Sequence, residues 1–246
     1  MALRKHTYLN FKQHEPVAYA PAITLVPVVT DQAINLIHCG DRTLQVYQDS
    51  QNDLVIPLLT ADANCTTGWA FNIDAADNDG YDVTLGVTAD ATLPYAFKVG
   101  TDPAFELRVK LGIPDVSEFD VVTVGFRKAA ASADCPAAAN AITAYSDCFG
   151  LNVNSGAIYT ISRLNTGTGV ATDTTNTWAD DAVKELCVKV SSAGVVTYQI
   201  DGAAPTVTQA VTADTGDILI PYIHVTRDEN GDTDIPIFEY LICGYQ

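Results

Sequence analysis

Between Phe105 and Leu111 the chain alternates apolar and charged residues without a break: Phe105, Leu107, Val109 and Leu111 are separated by Glu106, Arg108 and Lys110. A period of two sends the two sets to opposite faces of an extended strand, a separation that a helix cannot make. The pattern recurs in Val122, Val124 and Phe126, and again where Leu186, Val188 and Val190 alternate with Glu185, Cys187 and Lys189. Ser191-Ser192-Ala193-Gly194 follows, then Val196, Tyr198 and Ile200, ending at Asp201-Gly202, which reads as a hairpin with its turn chemistry in place. Two more strands are expected near residues 217–226 and 235–244.

Helical signals are confined to residues 134–145, where Asp134 offers a cap, Pro136 suits an early helical position and alanines follow. At most one short helix or an ordered loop is expected there. Short strands with regular turns, no βαβ alternation and no fixed-period repeat predict an all-β, antiparallel β-sandwich. A chain of 246 residues is long enough for one large sandwich and buries a core without staples.

Residues 1–30 read differently. Pro16, Pro21 and Pro27 block helix and enforce extended backbone, and no core-forming alternation runs through them. The segment is expected to be an extended N-terminal arm, with the sandwich occupying residues 31–246. Arg4, Lys5 and Lys12, with Tyr8, Phe11 and Tyr19, suit an anchor that clamps an acidic neighbouring surface. The alternative is a strand that packs on its own sandwich.

Charge narrows the partners. Arg4, Lys5 and Lys12 against Glu15 give residues 1–30 a net of +2, which leaves −19 of the chain's −17 on residues 31–246. Phosphate binding needs clustered Lys and Arg, so nucleic acid is not an expected partner. No stretch approaches the roughly 20 apolar residues of a membrane span, and no membrane partner is expected. After Arg4 and Lys5, polar residues from His6 to Glu15 interrupt the apolar core that a secretory leader requires, so export by that route is not expected. The six cysteines are scattered, and reduced thiols are the expectation; Cys135 and Cys148 are the one pair placed for a bridge. Cys187 and Cys243 sit in strand-like runs and read as small buried hydrophobes.

Several runs together resemble the concanavalin-A-like jelly roll of the legume-lectin and laminin-G type. They are Phe105-Glu106-Leu107-Arg108-Val109, Val124-Gly125-Phe126-Arg127, Asp147-Cys148-Phe149-Gly150-Leu151, the stretch from Thr172 to Asp180, and the hairpin from Leu186 to Gly202. The resemblance covers about residues 100–246 and extends to virion-associated proteins of tailed phages. It implies a non-enzymatic virion structural protein, a capsid decoration or surface protein made in the host cytoplasm. Such a protein binds the capsid lattice or another virion protein and is lattice-bound or homo-oligomeric. The alternative it implies is a carbohydrate-binding, lectin-like module or receptor-binding fibre tip.

Chemistry-bearing residues are few. Glu118-Phe119-Asp120 comes nearest to the Glu-x-Asp-x-x-Glu strand of jelly-roll glycosidases, but Thr123 stands where the third acid is required, and no catalytic residue is assigned. Of His6, His14, His38 and His224, the last alternates with Ile220 and Tyr222 and reads as a satisfied strand histidine. Asp228, Asn230, Asp232 and Asp234, with Glu239 beyond, mimic calcium-loop spacing. Their Gly is at the fourth position and Pro236 interrupts, so an Asp/Asn/Gly hairpin loop explains the letters. Asp74, Asp77, Asn78, Asp79 and Asp82 form a second acidic cluster. No cofactor or metal is expected. Under the glycan-binding alternative, Trp178, Asn176 and Asp180 are the contacts, with Trp69 the other tryptophan; packing of the indole beneath a loop is the competing use.

Overall fold

A computed structural model describes residues 6–10, 33–39, 42–48, 57–62, 64–71, 80–85, 96–117, 119–129, 142, 145–227 and 235–246. The strands are β1 (His6–Asn10), β2 (Ala33–Cys39), β3 (Arg42–Gln48), β4 (Pro57–Ala61), β5 (Thr67–Phe71), β6 (Gly80–Leu85), β7 (Phe97–Lys98) and β8 (Phe105–Gly112). They continue with β9 (Phe119–Lys128), β10 (Cys148–Asn154), β11 (Ala157–Arg163), β12 (Val170–Thr177), β13 (Val183–Val190), β14 (Val196–Ile200), β15 (Ile218–Arg227) and β16 (Ile237–Tyr245). No helix occurs among the described residues. The fold is the all-β sandwich expected from the alternation.

One sheet has seven strands in the order β14-β13-β8-β16-β5-β4, with β1 also on β16; the other has nine, β12-β11-β10-β9-β15-β6-β3-β2, with β7 also on β15. Every pairing is antiparallel. Phe105, Leu107, Val109 and Leu111 point inward as predicted, and the partners between them are half-buried. Tyr81, Val83, Val122, Val124, Phe126, Phe149, Leu151 and Ile223 meet them from the nine-stranded sheet. Aromatic rings interlock the two layers: Phe105 lies 4.5 Å from Phe97 and 5.1 Å from Phe126 between centroids. Asp201 and Gly202 both have positive φ, 51° and 79°, the geometry that an Asp-Gly hairpin turn demands.

Part of the N-terminal arm is a strand of the chain's own sheet. His6–Asn10 pairs along β16, with His6 opposite Gly244 and Asn10 opposite Tyr240. Tyr8 is therefore in β1, opposite Ile242; Arg4, Lys5, Phe11, Lys12 and Tyr19 lie outside the described residues. The segment proposed as a short helix lies mostly outside them too, and of its residues Ile142 and Tyr145 are buried against the nine-stranded sheet. Of the one pair placed for a bridge, Cys135 lies outside the described residues and Cys148 is a free thiol, in line with the expected reduced state; its Sγ is 2.8 Å from the Tyr222 hydroxyl. Cys187 and Cys243 are free and fully buried.

Candidate functional site

Trp178, the proposed glycan platform, is only 2% exposed and belongs to the main core. Its Nε1 donates to the Ala182 carbonyl at 3.0 Å, so the indole fastens a loop and offers no face to a sugar. Trp69 is likewise in the core. Asp180 is exposed and accepts the Val116 N–H at 3.1 Å. Asn176 serves β12, the outermost strand of its sheet. There Asp173 Oδ1 accepts Thr175 N–H at 2.7 Å, Thr174 Oγ1 accepts Asn176 N–H at 3.2 Å, and Asn176 Nδ2 donates to Thr174 O. An open strand edge invites another chain, and these local bonds with a left-handed Thr175 blunt it. The three residues therefore do not form the glycan site expected of them.

The calcium readings fare similarly. Asp82 is buried and spends both carboxylate oxygens on side chains, while Glu239 binds Thr66 Oγ1 at 2.5 Å and Lys110 Nζ at 3.0 Å. The remaining members, Asp74, Asp77, Asn78, Asp79, Asp228, Asn230, Asp232 and Asp234, lie outside the described residues. No cluster able to hold a metal ion occurs among the described residues. Nor do the thiols of Cys65 and Cys187 suit nucleophilic work. Burial and then the carboxylates of Asp62, Asp181 and Glu239 push Cys65 up to about 11, and burial pushes Cys187 up to about 12.

The chemistry gathers instead on the outer face of the nine-stranded sheet. Because successive side chains alternate, residues between the inward positions of β6, β15, β9, β10 and β11 all face this way. Register aligns six of them in one line across the strands: Asp82 opposite His224, His224 opposite Thr123, Thr123 opposite Asn152, Asn152 opposite Tyr159, and Tyr159 opposite Asp173. With strands about 4.8 Å apart, five steps make a polar row of about 24 Å. In the next row Tyr222, Gly125, Gly150 and Ile161 are neighbours. The two glycines leave a strip without side chains, beside which Ile142, Tyr145, Cys148, Ile161 and Tyr222 cluster.

One end of the row is internally satisfied. His224 Nδ1 lies 2.7 Å from Asp82 Oδ1 and His224 Nε2 lies 2.6 Å from Thr226 Oγ1. The Tyr145 hydroxyl donates to Asp82 Oδ2 at 2.5 Å. A carboxylate only accepts, so Nδ1 donates to Asp82, while Nε2 and the Thr226 hydroxyl share the second bond. The Arg127 guanidinium, wholly buried, sits 4.3 Å over the Tyr145 ring. The sequence reading of His224 as a satisfied strand histidine holds. Its hydroxyl–imidazole–carboxylate connectivity matches that of a nucleophilic triad, yet Thr226 is paired to β6 on one side and β9 on the other. Main-chain N–H groups in such a ladder are committed, so they supply no oxyanion-binding pair.

The middle of the row is not satisfied. Thr123 Oγ1 and both Asn152 amide atoms have no hydrogen-bond partner, although each residue is 0% exposed. A buried polar group left unpaired costs about 1–3 kcal/mol, so three together are expensive unless something bonds them. Sequence reasoning met Thr123 only as a missing acid and passed over Asn152. Their adjacency depends on strand register, which local pattern does not reveal.

No protein-family model matches the sequence, and no curated protein matches it. Solved structures match the fold. A protein of unknown function from Shewanella oneidensis MR-1 superposes with a TM-score of 0.51 at 12% identity, covering 97% of this chain and 85% of its own. The carbohydrate recognition domain of Emp46p, in a potassium-bound form, gives 0.51 at 6% identity over 78% of this chain and 87% of its own. That of Emp47p gives 0.50 at 12% identity over 94% and 93%. At such identities the likeness is one of fold: the chain is a lectin-like jelly-roll sandwich.

Proposed function

We propose that this chain is a non-catalytic glycan-binding module whose site is the outer face of the nine-stranded sheet. The observation carrying the reading is the unpartnered pair Thr123 and Asn152 at the middle of the polar row. A hydroxyl and a carboxamide together donate and accept, which is the complement of sugar hydroxyls that do both. The shared sandwich of the Emp46p and Emp47p carbohydrate recognition domains supports glycan binding more than capsid decoration. The virion role rests on the sequence resemblance and on the arm, and His6–Asn10 of that arm is engaged with β16. The interlocked Asp82, His224, Thr226 and Tyr145 favour binding over catalysis, because a general base needs a free position within reach of a substrate proton.

A glycan array probed with the wild-type chain and with Asn152→Leu tests the proposal. Wild type is expected to retain at least one glycan class, and the variant to lose at least tenfold in affinity while keeping its β-sheet spectrum. A blank wild-type array, or equal binding by the variant, would overturn it.

A further inference from the structure

β16 is a core strand with two neighbours laid end to end along one side. β5 pairs with it at Ile237 and Phe238, and β1 pairs with residues 240–244. Between the two, Glu239 is skipped in the pairing of β16 with β8, and its carboxylate is tied to Thr66 and Lys110. That register shift marks where the second slot begins. The slot runs beside the core itself: Leu241 and Cys243 within it are buried members of the main cluster, and β8 closes the other side of the strand. A ladder left open there would offer its N–H and C=O groups to an extended segment.

β1 in turn is held by one ladder. Its five residues pair with β16 and with no other strand among the described residues. β2, the next strand in the chain, lies at the outer end of the other sheet, and residues 11–32 run between the two. At about 3.3 Å per residue such a connection can reach about 70 Å, whereas a folded unit of this length has a radius of gyration of about 18 Å. β1 can therefore reach the slot of a neighbouring copy as well as its own. Both seatings make the same main-chain bonds in the same register, so little but concentration separates them. Charge favours the crossing: residues 1–30 carry a net of +2 and residues 31–246 a net of −19, so the arm is the part of one copy that the body of the next attracts.

Independently of the glycan-binding reading, we infer that the slot on β16 docks the β1 strand of a second copy, so that concentrated copies are joined by strand exchange. The register supplies the test, because Thr7 stands opposite Cys243, a free thiol. Opposed residues of antiparallel strands have Cα atoms about 4.5–5.5 Å apart, within disulfide range. A chain carrying Thr7→Cys and Cys243→Ala is mixed with wild type under mild oxidation, at micromolar and at millimolar concentration. The double variant cannot close this bridge on itself, so a disulfide between its introduced thiol and wild-type Cys243, read by peptide mapping, arises only between copies. Its yield should rise at least tenfold with concentration. If the double variant fails to fold, Thr7→Cys alone gives the same reading, as covalent dimers that map to Cys243 and increase with concentration. Bridging of the Thr7→Cys chain only within itself at both concentrations would overturn the exchange, and no bridge to Cys243 at all would overturn the slot as well.

Discussion

The two sheets present opposite solutions for polar side chains on an outer face. On the seven-stranded sheet the outward residues are charged, half-buried and paired with each other. Arg108 bonds Glu106 through two nitrogens, at 2.7 and 3.2 Å, and Glu185 at 3.2 Å; Tyr240 donates to Glu185 and Lys189 approaches Glu106. On the nine-stranded sheet they are mostly uncharged and buried, and two adjacent ones have no partner. The first arrangement needs only water to complete it. The second leaves polar atoms without a partner inside the protein, and that difference supports placing the proposed site there.

The largest test of the contrast is Asp82→Ala. It takes the shared acceptor from the buried His224 imidazole and Tyr145 hydroxyl, and a buried polar group that loses its partner costs about 1–3 kcal/mol, here twice over. Urea unfolding should show that loss; a change below about 1 kcal/mol would mean the network is solvated and the face is not closed at this end.

Glycines sharpen the comparison at the next level. A Cβ on Gly125 would lie 2.1 Å from the Phe149 carbonyl oxygen, a main-chain atom that cannot step aside. On the other sheet a Cβ on Gly112 would meet the Cys65 sulfur at 2.3 Å and a Thr66 methyl at 2.9 Å, both on side chains that can rotate. Gly125→Ala should therefore cost about 3 kcal/mol and Gly112→Ala about 1 kcal/mol, read as midpoint shifts in the same unfolding experiment. Equal costs would remove the distinction.

These cases also mark how far the sequence could be read. Alternation from Phe105 to Leu111 determines which side chains enter the core, because a period of two leaves no other way to bury four large groups. The Asp201-Gly202 turn was legible for the same local reason, since both positions need positive φ. The site was not. Asp82, Thr123, Asn152 and Tyr159 are spread over four strands, and only hydrogen-bond register between strands distant in sequence brings them into line. Trp178 misled because a polar stretch around an aromatic looks like a sugar platform, whereas the polar groups serve a strand edge and the ring fills the core.

Asn152→Leu separates stability from binding. The side chains are similar in size, and the substitution removes two buried polar atoms that have no partner within the protein. The free variant should be more stable than wild type by about 1 kcal/mol, while glycan affinity falls. A stability loss instead would mean that the amide is bonded in the free protein, by ordered water for instance.

The smallest effect belongs to the charged face. Arg108 is the hub of the outer network on the seven-stranded sheet, and its hydrogen bond to Glu106 holds its guanidinium further toward the protonated form than usual. Yet its side chain is 26% exposed, and those of Glu106 and Glu185 are 16% and 18% exposed. Partners with this much access to water recover most of their solvation when a contact is lost. Arg108→Ala should therefore cost less than about 1 kcal/mol, and less again in high salt, with no change in glycan binding. A larger, salt-independent loss would show that this face too is sealed from solvent, and the contrast between the sheets would no longer point to a ligand.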